Sequence, residues 1–295
     1  MKAAVYHGAG DVRIETVNTP SPSHNQVLVK VLRSGMCGTD ASEFKSGPRI
    51  FATEKEHPVS GHKGPMILGH EFIGEIVQVG SQVKNYSVGE LVATGAGYSC
   101  GNCKMCLDGR TNLCDKYVTS GLNRDGGMAE FAVVEESTLE LVPDGLNLDI
   151  AGLAQPLAVG IHAARRANVQ DGDRVILIGA GAIGTFVLAG LKHLVKAEVT
   201  VVDFPGERLE RASRLGADFV FEVSNSTEDG LRDLFPTGAD VVIEASGAPG
   251  QMQMALNLAK RGGNLLQVGL PSSKQELDIH PIVMAEKNIS TTLAH

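Results

Sequence analysis

At 295 residues the chain has room for about two domains of roughly 150 residues each. Its 43% hydrophobic and 20% charged residues, with 35 glycines, are those of a globular protein with a sizeable core, which excludes a disordered or collagen-like chain. A net charge of −8, no tryptophan and 4% aromatic residues speak against nucleic-acid or anionic-membrane binding and against aromatic stacking platforms.

The first ten residues carry one lysine and no apolar signal core, so a cytoplasmic location is expected. Apolar and polar residues then alternate between turn signals at 26–32, 72–79 and 90–94, which predicts a β-rich first half. Cys37 lies in Gly35-Met36-Cys37-Gly38-Thr39-Asp40, and His70-Glu71 follow Gly69, so a thiolate, an imidazole and a carboxylate are available to a metal. Taken singly, each has an ordinary reading as a small buried thiol, a structural histidine or an isolated acid. His57 and His62 fall in a polar loop and are expected to be exposed.

Cys100, Cys103, Cys106 and Cys114 form a C-x2-C-x2-C-x7-C pattern within a lobe at about 95–117. Four thiolates so spaced close a tetrahedral zinc shell with no open position, which predicts a structural ion. The spacing is not that of the common ferredoxin runs; an iron–sulfur cluster, disulfides and free thiols are the alternatives. A zinc ribbon for nucleic acid is disfavoured by the net charge and by Asp108, Asp115 and Glu130 around the lobe.

A helical stretch at 157–167, carrying His162, marks the junction between expected domains at 1–155 and 156–295. His162 reads as packing beside a cofactor. Apolar runs at 175–178, 199–202, 219–221, 241–243, 265–268 and 289–293 then alternate with helical patterns such as 207–214, the signature of a doubly wound parallel sheet. The longest uncharged stretch, 175–191, is broken by glycines and is shorter than the about 20 apolar residues a membrane span needs. Gly179-Ala180-Gly181-Ala182-Ile183-Gly184 follows the first of these strands and opens a helix, as a dinucleotide-binding G-x-G-x-x-G does. Asp203 ends the next strand, where an acid bonds the ribose hydroxyls and repels a 2′-phosphate, favouring NAD over NADP. The alternative is a glycine-rich turn with an aspartate cap; Arg208 flanks the adenosine or is a solvated helix charge. The final run would be a sheet edge, which predicts a homodimer or homotetramer.

Together these residues resemble the zinc-dependent medium-chain alcohol and polyol dehydrogenases. Gly69-His70-Glu71 with Gly74, Gly80 and Val83 is similar to that family's zinc signature, Cys37-Gly38-Thr39-Asp40 to its first-ligand motif, and Cys100–Cys114 to its structural-zinc lobe. The resemblance implies an α/β protein with an N-terminal GroES-like catalytic domain, a Rossmann domain, and a catalytic zinc in the cleft between them. Within the family, residues 54–72 are most similar to 2,3-butanediol and sorbitol dehydrogenases, so the implied substrate is a small vicinal diol or polyol. Cys37, His70 and Glu71 would hold the catalytic ion, giving about two zinc ions per chain. Thr39 resembles the serine or threonine that takes the hydroxyl proton; its other reading is a helix N-cap.

Three departures stand out. The family places a glutamate or cysteine before Pro-Leu near the junction, where this chain has Gln155-Pro156-Leu157; a neutral amide is a weak zinc ligand or holds the water on the metal. A relay histidine five residues after the cysteine is Ser42 here. Relatives also continue for tens of residues after the sixth strand, and the return segment that the resemblance implies is missing from this sequence. Competing functions are oxidation of threonine or a simple alcohol, and a non-catalytic NAD-binding zinc protein with a degraded site.

Overall fold

Period-two patterning in the first half folds as antiparallel sheet. The computed structural model describes residues 1–271 and 273–295, and the chain falls into two units, Met1–Gln155 and Pro156–His295. In the first unit the strands are β1 (Lys2–Gly8), β2 (Asp11–Thr16), β3 (Gln26–Ser34), β4 (Met66–Ile67), β5 (Phe72–Val79), β6 (Leu91–Thr94), β7 (Gly97–Tyr98), β8 (Val118–Thr119), β9 (Phe131–Glu135) and β10 (Leu139–Leu141). Helices α1 (Gly38–Ser46), α2 (Lys104–Leu107) and α3 (Leu148–Ala151) are short. The strands form sheets ordered β2-β1-β4, β10-β6-β5-β3-β9 and β7-β8.

Val27 and Val29 of β3 pack with Phe72 and Ile76 of β5, Val92 of β6, and Ala132 and Val134 of β9, while Lys30 points outward. Leu28 between them is buried as well, and the packed valine face favours one register, because a one-residue slip would take the valines out of this cluster. The register ends with Ser34 opposite Phe72, so the chain leaves β3 toward Cys37 beside the point where His70-Glu71 enters β5. A second cluster, Tyr6, Phe51, Met66 and Leu68, underlies that entry, with Tyr6 and Phe51 in edge-to-face contact at 4.9 Å.

The second unit consists of α4 (Ala154–Arg166), which starts at the unit boundary, then β11 (Arg174–Ile178), α5 (Ala182–Leu194), β12 (Glu198–Asp203), α6 (Glu207–Arg214), β13 (Phe219–Glu222), α7 (Thr227–Leu234), β14 (Ala239–Glu244), α8 (Gln251–Leu258), β15 (Ala259–Gln267), α9 (Ile279–Met284) and β16 (Asn288–Thr291). The sheet is parallel, ordered β13-β12-β11-β14-β15-β16, the doubly wound arrangement expected from the repeating runs. Val175, Leu177, Val199 and Val201 pack under α5 on one face. Ile176, Ile178, Val202 and Val242 pack under α8 on the other, which is why these strands read as unbroken apolar runs. The reversal of strand order lies between β11 and β14.

Several bounds differ from the sequence expectation. β15 begins at Ala259, well before the apolar run at 265–268, because its first half is Lys260-Arg261-Gly262-Gly263 and hides the strand. The junction helix starts at Ala154, with Pro156 in its first turn where a missing N–H is tolerated. His57 and His62 are half-buried: His57 Nδ1 accepts the Ser60 N–H at 3.1 Å, and His62 Nε2 lies 3.3 Å from the Gly64 carbonyl.

Candidate active site

The glycine-rich turn is built for close approach. Gly179 takes φ +98°, in the left-handed region, and a Cβ there would meet Ser246 N at 2.9 Å. Gly181 caps α5 with nothing within 4 Å of its missing side chain, which leaves the helix N-terminus open to a phosphate. Gly184 is buried, and a Cβ on it would overlap the Gly179 carbonyl oxygen. Ile183 sits between them, half-buried, against the core of that face. Asp203, 6% exposed, accepts the Ala180 N–H at 2.6 Å and the Phe204 N–H at 2.7 Å. Each oxygen keeps a lone pair for a ribose hydroxyl. Arg208 Nη1 stands 3.8 Å from Asp203 Oδ1 and is largely exposed.

In the first unit, Cys37, His70 and Glu71 offer Sγ, a ring nitrogen and a carboxylate oxygen within 4.8 Å of one another. Cys37 is the N-cap of α1, and Asp40 Oδ2 accepts its N–H at 2.9 Å. Thr39 is therefore inside the first turn; the N-cap reading fails for it, and its Oγ1 lies 3.7 Å from Cys37 Sγ. Asp40 Oδ1 and His70 Nδ1 are 3.9 Å apart, both buried and neither hydrogen-bonded.

The electrostatics of this cluster point one way. Burial raises Cys37, with Glu71 and Asp40 adding to the rise against opposing bonds from Thr39. Burial raises Glu71 and Asp40 as well, and burial lowers His70 although Asp40 pulls it up. Every acid is pushed toward its neutral form, as a set of anions crowded out of water must be unless a cation sits among them. A soft sulfur, an imidazole and a carboxylate suit zinc, and three protein ligands leave a fourth position open. The residues fit the ion. Gln155 is 9% exposed.

Cys100, Cys103, Cys106 and Cys114 form a second group within 4.8 Å, and all five cysteines are free thiols. Cys114 Sγ accepts the N–H groups of Cys100 and Lys116, each at 3.3 Å. The Cys106 and Asp115 N–H groups draw Cys103 down to about 6, while desolvation pushes Cys106 up to about 11. Such split behaviour is that of thiols that cannot all ionise side by side without a metal.

Comparison with known proteins gives this geometry its context. Residues 23–144 match the alcohol dehydrogenase GroES-like domain, and residues 182–294 match the zinc-binding dehydrogenase domain. Sorbitol dehydrogenase of Bacillus subtilis (strain 168) is 36% identical over 296 residues, 98% of this chain and 80% of that protein. The chain belongs to the zinc-binding alcohol dehydrogenase family. L-threonine 3-dehydrogenase of Cronobacter sakazakii is 32% identical over 90% of this chain and 76% of its own length. Among solved structures, 2R,3R-butanediol dehydrogenase from Bacillus subtilis superposes with a TM-score of 0.90 at 29% identity, covering all of this chain and 84% of its own. An Escherichia coli alcohol dehydrogenase complexed with NADH gives 0.89 at 28%, over 100% of this chain and 84% of that one. This dehydrogenase is thus an enzyme of the alcohol and polyol group, and a zinc ribbon for nucleic acid is set aside. Among the described residues no helix is long and apolar enough to cross a membrane.

Sequence reasoning overlooked a second set of residues. Gly127 N–H donates to the Gly69 carbonyl at 2.8 Å and Met128 N–H to Leu68 at 2.7 Å, so the segment before His70 is clamped by backbone. A Cβ on Gly127 would run into the Phe72 ring, and Gly69 itself takes φ +97°. The Gly126-Gly127 pair was a visible signal, since adjacent glycines mark a close backbone approach.

Proposed function

We propose that this dehydrogenase oxidises a secondary alcohol of a vicinal diol or polyol with NAD. The observation that carries the reading is the gathering of Cys37, His70 and Glu71 within 4.8 Å, all held away from their ordinary ionisation by burial. In this reading the trio holds the catalytic zinc and Cys100, Cys103, Cys106 and Cys114 hold a structural one. Gly179, Gly181, Ile183, Gly184 and Asp203 hold NAD, with Arg208 beside Asp203. Zinc, when bound, supplies the Lewis acidity that lowers a hydroxyl pKa, and NAD accepts hydride.

The chain's own residues do the rest. Cys37 and Glu71 would contribute two negative charges and His70 a neutral ring nitrogen, with the neutral amide of Gln155 a weak further ligand or the holder of a water on the metal. The backbone clamp on Gly69 and the Asp40 bond to Cys37 N–H fix the two ligand-bearing segments before substrate arrives. Thr39 Oγ1 would accept the substrate hydroxyl proton as its own hydroxyl proton passes on toward solvent, so the residue relays the proton and does not keep it. Asp203 bonds the ribose hydroxyls and repels a 2′-phosphate, which sets NAD above NADP.

Support for the diol or polyol comes from the sorbitol dehydrogenase and 2R,3R-butanediol dehydrogenase relatives. Oxidation of threonine is the second reading, favoured by the L-threonine 3-dehydrogenases at 32% to 34% identity. A panel of butanediol, sorbitol, threonine and ethanol with NAD separates them: the highest kcat/KM is expected with the diol or polyol, and highest turnover of threonine would overturn that choice. His70→Ala is expected to lower turnover more than about 100-fold with NADH affinity unchanged; retained turnover would remove the zinc site from catalysis. A cytoplasmic homodimer or homotetramer, paired through the β16 edge, completes the proposal.

A further inference from the structure

Gly35 stands between β3 and Cys37, and its N–H donates to the Glu71 carbonyl at 2.6 Å. Its φ is outside the left-handed region, so the turn itself does not require glycine. Space does. A Cβ at this position would lie 2.6 Å from Glu71 Oε2 and 3.1 Å from Glu71 Cβ. The first distance is far inside the roughly 3.5 Å at which non-bonded heavy atoms rest. A carboxylate at the end of a flexible side chain can move, but here its root is crowded too, so relief comes by displacing the carboxylate from its place beside Cys37 and His70.

We infer that Gly35 is a positioning residue for Glu71: the missing side chain is what lets the carboxylate turn in and join the Cys37 and His70 donors. The inference rests on the proposed role of that trio in holding zinc. It assigns the glycine a task at the metal site through a side chain it does not have. Gly35 contributes no ligand atom, so its effect must vanish when Glu71 has no carboxylate to displace.

The test is zinc titration of the full chain against a competing chelator, with cobalt substitution and its visible absorption as a second readout. Gly35→Ala is expected to keep the ion of the four-cysteine lobe and to weaken the second ion by about 10–100-fold, with a changed cobalt spectrum. Added to Glu71→Ala, the same substitution is expected to change affinity by less than about twofold, as coupled neighbours should. Wild-type affinity and spectrum in Gly35→Ala, or an equal loss in the Glu71→Ala background, would overturn the inference. Failure of the underlying reading looks different: the wild type binds only the lobe ion, or Glu71→Ala alone leaves the second ion's affinity intact. Should Gly35→Ala not fold, the double variant Gly35→Ala/Glu71→Gly, which removes both the carboxylate and the Cβ that the new methyl would strike, is expected to fold; its failure to do so also overturns the inference.

Discussion

Asp203 shows how one side chain serves both fold and chemistry. Its two oxygens fasten the Ala180 and Phe204 N–H groups, and thereby the glycine-rich turn, while keeping lone pairs for a ribose. Asp203→Asn is expected to cost about 1–2 kcal/mol of stability, because an amide nitrogen then faces a backbone donor. It is also expected to narrow the preference for NAD over NADP by about tenfold or more, as loss of a negative charge beside a 2′-phosphate should. Thermal melts and kcat/KM with both coenzymes check the two parts; an unchanged coenzyme ratio would deny Asp203 the ribose role. At this scale the sequence was legible where chemistry is contiguous. The glycine-rich turn and the four lobe cysteines each sit within one short segment, so spacing alone carried them. Cys37 and His70-Glu71 were joined only through the resemblance of their two motifs to a known family, since nothing local states that segments so far apart meet. Gly35 was legible as a glycine in a motif but not as a space for Glu71.

Among elements, the register of β3 on β5 does most to assemble the metal trio, and β9 on β3 supports it from the other side. β9 ends in Glu135, which accepts hydrogen bonds from Arg124 and, at 2.9 Å, from Gln26 Nε2. Burial opposes ionisation of Glu135, but the bonds from Arg124 and Gln26 outweigh it and hold the carboxyl below the ordinary glutamate value. A depressed folded-state pKa stabilises the fold above the unfolded value of about 4.3 and is lost as pH falls through the folded value. Glu135→Gln is therefore expected to cost about 1–3 kcal/mol near neutrality, a penalty that shrinks below about pH 4. Denaturant melts across pH measure it, and a penalty independent of pH would contradict the pairing. In the second unit, α5 packs on β11 only because Gly184 has no side chain against the Gly179 carbonyl. Gly184→Ala is expected to cost about 1–3 kcal/mol and to weaken NADH binding; an unaffected NADH affinity would separate that turn from the coenzyme. The apolar strands of this sheet were readable because both faces are buried, whereas the glycine- and lysine-rich start of β15 was not.

For the molecule as a whole, two units carry two kinds of chemistry: a β-rich unit with both groups of metal donors, and a doubly wound unit with the dinucleotide turn. Fold class was legible because each unit repeats one rhythm over many elements, period two in the first and alternating βα in the second. Substrate was not, since the residues that would line a pocket share no motif and are placed by packing. If Cys37, His70 and Glu71 hold a catalytic zinc distinct from the lobe ion, metal analysis of wild type against Cys37→Ser will reveal it. About two zinc ions per chain are expected in the wild type, and one in the variant, which loses NAD-dependent oxidation while its NADH binding persists. A single ion in the wild type, retained with full activity in Cys37→Ser, would contradict it.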